Sequence, residues 1–192
     1  MPQDLLSISL TTTREGADAA GVQSQLKAAL DAALADARKS VEAGQMDART
    51  GLFSVYPRYA QGGKISGWRG SAELVLEGRD FARITQAAGR ISTLTVGNVG
   101  FGLSRDQRAK VESDAQLQAV ERFKAKASEL ARSFGFAGYS LREVAVNAND
   151  FAPPPRPRMM ASAMASVDSS PVPVEAGKAT VTVTVTGSVQ LK

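Results

Sequence analysis

The chain has 192 residues, of which 43% are hydrophobic, and its 23 basic and 19 acidic residues give a net charge of +4. A chain of this length and composition can bury a substantial core, and we expect a single domain over residues 1–192. It contains no cysteine and no histidine, which excludes disulfides, thiolate or histidine metal sites, cysteine nucleophiles and Ser-His-Asp triads. No apolar run reaches the roughly 18 residues of a membrane-spanning helix, so we expect membrane association to be at most peripheral.

The chain begins with a strand pattern followed by a helix pattern. Residues 6–12 alternate apolar and hydroxyl side chains, which is typical of a half-buried strand. A helical pattern extends over residues 17–43, with Asp18 as a candidate N-cap and Gly44 as its predicted end.

Two further strand patterns, over residues 50–59 and 64–77, are joined by a glycine-containing segment that predicts a hairpin. Pro57 has no backbone N–H, which places the end of the first of these strands at a sheet edge or a bulge. The residues that we expect to point inward from the second strand are Ile65, Trp68, Leu74 and Leu76.

A short helix and another strand come next. Asp80 is a candidate N-cap for the helix, which we expect to end near Gly89. In the strand that follows, Leu94 and Val96 lie on one face, whereas Val99 and the apolar residues after it require the other face. This change of parity predicts a β-bulge at Gly97-Asn98.

The clearest helix signal lies between Ser104 and Gly135. Ser104 and Gln107 have the spacing of a capping box, and Gly135 followed by Phe136 is typical of a Schellman cap. The apolar face is predicted to consist of Ala109, Gln116, Val120, Phe123, Ala127, Leu130 and Phe134.

The remaining chain predicts two strands, at residues 140–147 and 178–191, separated by a flexible Pro/Met-rich loop at residues 149–174. The order of elements predicts an α+β fold. We expect a mainly antiparallel sheet that is covered on one face by two long helices and one short helix.

Two groups of side chains are candidates for binding. Tyr56, Tyr59 and Trp68 form either an aromatic recognition surface or, more commonly, a cross-strand packing cluster. The thioethers of Met159, Met160 and Met164 suit a soft metal such as Cu(I), although methionines in such a loop more often form a linker or a contact surface.

No motif indicates a reaction. The glycines of residues 97–102 precede a helix but lack the spacing of a dinucleotide fold and the lysine of a phosphate-binding loop. Basic and acidic residues alternate along the long helix, so nucleic-acid binding is not expected. We therefore predict no catalytic, cofactor-binding or metal-binding residue, and no cofactor.

Five segments, in this order along the chain, carry a resemblance to a known family. They are residues 56–59 (YPRY), 65–68 (ISGW), 99–104 (VGFGLS), 124–131 (KAKASELA) and 171–177 (PVPVEAG). Together they resemble the SIMPL domain family, and the likeness covers nearly the whole chain.

The resemblance implies an exported bacterial protein of the periplasm or envelope, with some members linked to oxidative-stress defence, and it brings no catalytic residues. We therefore expect a non-enzymatic, periplasmic protein that binds an unidentified protein partner. We also expect a homo-oligomer, because the terminal strands would leave exposed edges and the Pro/Met-rich loop offers a further surface for pairing. The chain begins without a signal peptide, as it would after removal of a leader, and a cytoplasmic location is the alternative. The functional alternatives are a signalling adapter, as in an animal member of the family, and a small-ligand binder or enzyme that uses a cleft near Trp68 and Gly97 to Gly102.

Overall fold

The computed structural model of the chain describes residues 1–149 and 174–192. Its elements in chain order are β1 (Leu5–Gly16), α1 (Ala19–Arg38), β2 (Met46–Tyr59), β3 (Ile65–Gly78), α2 (Phe81–Arg90), β4 (Thr95–Gly102), α3 (Arg105–Ser133), β5 (Tyr139–Asn149) and β6 (Thr182–Leu191). All four strand pairings between these elements are antiparallel, which confirms the predicted α+β class. Apart from its two end positions, the predicted loop at 149–174 lies outside the described residues.

The described chain divides into two compact units. The first, here called the sheet unit, contains residues 3–102 and 174–177, and its four strands are ordered β2-β3-β1-β4. The second, here called the ribbon unit, contains residues 1–2, 103–149 and 178–192, and its two strands are β5 and β6. The strands therefore form two sheets, a division that the order of elements did not predict.

The core of the sheet unit lies between the four-stranded sheet and the helices α1 and α2. Leu6, Ile8 and Leu10 of β1 have no exposed surface, as their alternation with hydroxyl residues predicts. The other fully enclosed large side chains of this core are Val22, Leu26, Met46, Leu74, Leu76 and Ile84. The core is therefore supplied by both central strands and by one face of each helix.

The helix α1 begins as predicted and ends earlier than predicted. Asp18 is the N-cap, and its Oδ1 accepts a hydrogen bond from the N–H of Gly21 at 2.7 Å. The helix ends at Arg38 and not at residue 43. Gly44, at φ 77°, instead lies in a tight turn closed by two backbone hydrogen bonds between Glu42 and Met46. The early end returns the chain to the sheet at Met46, whose side chain is buried.

The helix α2 begins at the predicted cap. Asp80 accepts hydrogen bonds from the N–H of Arg83 at 3.0 Å and from its Nε at 3.2 Å. The backbone hydrogen bond from Arg83, followed by the side-chain bond and charge of Arg83, lowers the pKa of Asp80 below its ordinary value of 3.8.

The lowered pKa of Asp80 gives a pH-dependent prediction. A carboxylate whose pKa is lower in the folded state than in the unfolded state stabilises the fold. This stabilisation is complete at pH values above the pKa of the unfolded state, and it is lost as the pH falls through the pKa of the folded state. We expect Asp80→Asn, which keeps a capping side chain but removes the charge, to lower the Tm at about pH 6. The difference from wild type should shrink as the pH falls below 3.8. Thermal unfolding followed by circular dichroism at several pH values measures both effects, and a difference that does not change with pH would contradict the assignment.

The hairpin formed by β2 and β3 confirms the predicted turn and edge. The Lys64 carbonyl accepts a hydrogen bond from the N–H of Ala60 at 2.8 Å. Pro57 lies in the edge strand β2, close to a register shift between Arg58 and Tyr59. Of the residues predicted to point inward, Leu74 and Leu76 are buried and Trp68 packs against the core, but Ile65 is 55% exposed. The prediction for Ile65 was wrong because the register shift between Arg58 and Tyr59 separates Ile65 from the regular part of the ladder that carries the inward face.

The strand β4 contains the predicted bulge. It pairs with β1 so that Ser9 lies opposite Asn98 and Leu10 opposite Val96, which leaves Gly97 as the extra residue. This insertion returns Val99 to the core face, where it packs against the buried cluster.

The helix α3 of the ribbon unit has the predicted ends. Ser104 Oγ accepts from the N–H of Gln107 at 3.4 Å, but Gln107 Oε1 has no hydrogen-bond partner among the described residues, so the reciprocal half of the capping box is not formed. At the other end the N–H of Phe136 donates to Ala131 and that of Gly135 donates to Arg132, which is a Schellman cap.

The predicted apolar face of α3 is only partly correct. Ala127 is buried and Phe123 is half-buried, as expected. Val120 is half-buried as well. The other predicted positions are exposed, contrary to the prediction: Ala109, Gln116, Leu130 and Phe134. Inside its unit the helix packs on β5 and β6, and a two-stranded ribbon is too narrow to cover a broad helical face.

Candidate functional site

The three candidate aromatic residues do not form one surface. Trp68 lies directly opposite Pro57 on the face of β3 that carries Leu74, and it packs against the core. Tyr56 lies directly opposite Arg69, one residue further along, and therefore on the other face of the sheet. Trp68 and Tyr56 therefore lie on opposite faces of the sheet. Of the two interpretations of Trp68, its position agrees with the role of a packing residue.

The exposed face of the sheet carries an ionic cluster beside Tyr56. Glu15 accepts a hydrogen bond from Arg58 at 2.5 Å, and its second oxygen lies 3.7 Å from Nε of Arg69. Each of these three side chains is roughly half exposed, and exposed ion pairs contribute little to stability. The cluster therefore makes the surface around Tyr56 polar, with two guanidinium groups beside one carboxylate.

The tip of the β2–β3 hairpin exposes two large apolar side chains side by side. Tyr59 and Ile65 are directly opposite each other, immediately before and after the turn. They are 64% and 55% exposed, respectively. Exposed apolar residues that are adjacent mark contact surfaces more often than isolated ones do.

A second exposed position in the same strand was missed in the sequence. The ladder shifts register between Thr50 and Phe53, so that Gly51 and Leu52 form a bulge. Glu73 of the neighbouring strand accepts a hydrogen bond from the N–H of Leu52 at 3.1 Å, and the Leu52 side chain is 63% exposed. The only signal for this bulge is Gly51, and one glycine in a strand does not locate a bulge.

The cleft predicted between Trp68 and the glycines of β4 is not assembled. Trp68 lies opposite Gly16 at one end of β1, whereas Gly97 to Gly102 pair along the part of β1 that ends at Leu10. Six residues of extended strand separate Gly16 from Leu10, which corresponds to about 20 Å. These two features therefore belong to different regions of the sheet.

A polar pocket of about 350 Å³ lies between the end of α1 and the start of α2. It is lined by Lys39, Ser40, Asp80, Ala82, Arg83, Gln86 and Arg90. All three guanidinium nitrogens of Arg83 are engaged, with Glu42 at 2.5 Å, with Asp80 at 3.2 Å and with the Ser40 carbonyl at 3.5 Å. Arg83 therefore holds the segment after α1 against α2.

The ribbon unit also exposes large apolar side chains. Those of β5 are Leu141, Val144 and Val146, and those of α3 and the segment that follows it are Leu117, Leu130, Phe134 and Phe136. One face of the ribbon packs against α3. Gly187 lies on that face, because a Cβ added to it would be 3.1 Å from the ring of Phe123 in α3. One helix and two strands bury only part of the apolar surface that they present.

Met159, Met160 and Met164 lie outside the described residues, so their predicted roles stay predictions. Among residues 1–149 and 174–192, no group of three or more acidic side chains is arranged to hold a metal ion. Within the same ranges, no helix is long and apolar enough to span a membrane.

The sequence and the structure were compared with known proteins. The family model described as SIMPL, a protein of unknown function (DUF541), matches residues 1–189. No curated protein matches the sequence.

Two solved structures that are similar to parts of this chain are titled "The crystal structure of AtUAH in complex with glyoxylate" and "The crystal structure of AtUAH in complex with (S)-hydroxyglycine". They are 13% and 14% identical in sequence, cover 61% and 60% of this chain, and both have a TM-score of 0.29. The matched part spans 32% of each AtUAH chain, about a third of its length. A likeness this low in TM-score carries no argument about fold or activity.

The family match confirms the resemblance drawn from the five sequence segments. It extends across both compact units, from the first strand to the last. The chain therefore belongs to the SIMPL family.

Proposed function

We propose that this SIMPL protein is a non-enzymatic protein of the bacterial cell envelope that acts through contacts with protein chains, including copies of itself. We place it in the periplasm and associate it with stress defence, in line with the bacterial relatives that the resemblance implies. The observation that carries the proposal is the exposure of large apolar side chains on both compact units.

In the sheet unit this exposed apolar surface lies on one hairpin. Leu52, Tyr59 and Ile65 are each more than half exposed, and all three lie on the β2–β3 hairpin at the edge of the sheet. In the ribbon unit, Leu141 of β5 is 52% exposed. Among the described strands, β5 pairs with β6 on one edge, and its other edge is unpaired. Burial of such side chains against another chain is a main source of binding free energy.

The proposal predicts self-association of the purified full-length chain. Light scattering after size exclusion, from about 1 µM to about 200 µM protein, should give a mass that is a multiple of 20.1 kDa or that rises with concentration. The physical reason is that burying exposed apolar side chains between copies favours association by mass action. A mass of 20.1 kDa at every concentration would contradict the self-association part.

The location is tested separately from the assembly. Fractionation of cells that express the native gene should place the protein in the periplasmic fraction. Recovery with cytoplasmic markers only would contradict the envelope assignment and leave the self-association result unaffected.

A further inference from the structure

The backbone of β6 presents a row of hydrogen-bonding groups that pair with no other described strand. Gly138 and Lys192 exchange both backbone hydrogen bonds, each at 2.9 Å, which fixes the phase of the β5–β6 ladder. The ladder has one register shift, and its extra residue is Arg142 of β5, so the alternation along β6 is not interrupted. Because hydrogen-bonded and non-hydrogen-bonded pairs alternate in an antiparallel ladder, even-numbered residues of β6 face β5. The N–H and C=O groups of Val183, Val185 and Val189 therefore point to the outer edge, where no other described strand is paired.

The outer edge of β6 differs from the other free edges in the described chain, which carry features that hinder strand pairing. The edge strand β2 contains Pro57 and two register shifts, β4 contains the bulge at Gly97, and β5 carries Arg142 and Glu143 at its own register shift. Proline, bulges and charged residues are the devices by which proteins block edge-to-edge pairing. Over residues 182–191, β6 has neither a proline nor a charged side chain.

The sequence of β6 is complementary to itself in the antiparallel direction. Apolar Val183, Val185 and Val189 share one face, and Thr182, Thr184, Thr186 and Ser188 share the other. When a strand pairs antiparallel with its own copy about a two-fold axis that lies between a residue and its copy, odd-numbered residues meet odd-numbered ones. The apolar face, which also includes Gly187, then lies beside the apolar face of the copy, the hydroxyl face lies beside the hydroxyl face, and no like charges are opposed.

The geometry points to a two-fold dimer in which β6 pairs antiparallel with β6 of a second copy. The two ribbons then form one four-stranded sheet in the order β5-β6-β6-β5. This inference rests on the proposed self-association and names the surface that carries it. Pairing satisfies the outer backbone groups of β6, and it joins two two-stranded ribbons into one wider sheet.

A matched pair of proline variants tests which edge is used. Val185 and Val146 lie directly opposite each other in the ribbon, and by the alternation of the ladder both N–H groups point outward, from β6 and from β5 respectively. Proline at either site removes an N–H that the ribbon itself does not use. We expect Val185→Pro to weaken the dimer by about tenfold or more, and Val146→Pro to leave the dimerisation constant near that of wild type.

Charge variants test the same edge without proline, in case Val185→Pro does not fold. Thr184 and Thr186 are exposed, and their direct partners in β5 are Asn147 and Ala145, which are also exposed. The double variant Thr184→Lys/Thr186→Lys should dissociate the dimer at low salt, because β6–β6 pairing brings the lysines together. The matched Ala145→Lys/Asn147→Lys variant should stay dimeric.

If the β6 edges of two copies meet, mixing variants of opposite charge should restore their pairing. Thr184→Glu/Thr186→Glu should also be monomeric alone, and an equimolar mixture with the lysine variant should give a heterodimer with affinity within about tenfold of wild type. Sedimentation equilibrium measures the affinities, and circular dichroism confirms that each variant is folded.

The outcomes separate this inference from the proposed function. A wild-type chain that is monomeric overturns both the self-association and the β6 surface. A wild-type oligomer that the folded β6 variants leave intact, or that the β5 variants disrupt equally, overturns the β6 assignment alone. Selective loss through β6 variants, with recovery in the lysine and glutamate mixture, supports it.

Discussion

Replacing Trp68 by alanine should lower the free energy of unfolding by about 2 kcal/mol, with little direct effect on self-association. Removal of a fully buried tryptophan costs roughly 3–5 kcal/mol, and Trp68 is half-buried, packed against the core cluster of the sheet unit. Urea unfolding followed by circular dichroism measures the change, since Trp68 is the single tryptophan of the chain and its fluorescence is lost in the variant.

Tyr59→Ala is the matched control for Trp68→Ala. Tyr59 is 64% exposed at the hairpin tip, and substitutions at such positions change stability by less than about 0.5 kcal/mol. If Trp68→Ala leaves stability unchanged and abolishes assembly, Trp68 is a recognition residue after all. The comparison therefore decides between the two roles that the sequence allows for this side chain.

Replacing Gly78 by alanine should lower the free energy of unfolding by about 3 kcal/mol or more, since overpacking a rigid site typically costs 1–3 kcal/mol and sometimes more. An added Cβ would collide with the backbone carbonyl of Gln45 and would lie 2.8 Å from the Cα of Met46. The same carbonyl accepts hydrogen bonds from the N–H groups of Arg79 at 2.8 Å and Asp80 at 3.1 Å. Moving it therefore disturbs the junction between the turn before β2 and the start of α2.

Gly102→Ala provides the comparison for Gly78→Ala within the same unit. An added Cβ at Gly102 meets no atom within 4 Å, so we expect a change below about 0.5 kcal/mol. Urea midpoints and slopes for both variants measure the difference. Equal stability of the two variants would show that the backbone at Gln45 can move without cost.

Features set by neighbouring residues could be predicted from the sequence. Asp18, Asp80 and Ser104 cap their helices because the capping side chain and the amide that it accepts are at most three residues apart. The bulge at Gly97 follows from the parity of apolar residues along one strand, which is also a local property. The Schellman cap at Gly135 could also be predicted, because its hydrogen bonds join residues that are close in sequence.

Features set by pairing between distant segments were not predictable. Whether Tyr56 shares a face with Trp68 depends on the register of β2 against β3, and a register shift by one residue exchanges the faces. The exposed face of α3 depends on which strands cover it, and these lie at residues 139–149 and 182–191. Leu52 was missed for the same reason, because a bulge exposes it. An exposed edge on the terminal strands was expected, but which edge of β6 is free follows only from its pairing with β5.

The central strands of the four-stranded sheet are β1 and β3, and β1 is the first element of the chain. Its neighbour β3 begins at Ile65, and its other neighbour β4 ends at Gly102. A chain that emerges amino end first therefore has no partner strand for β1 until about a third of its length has followed, and both partners only after about half. Closing such long loops makes folding slow compared with that of local hairpins. We expect the apolar stripe of Leu6, Ile8 and Leu10 to be incompletely covered during that interval, which favours binding of the nascent chain by chaperones.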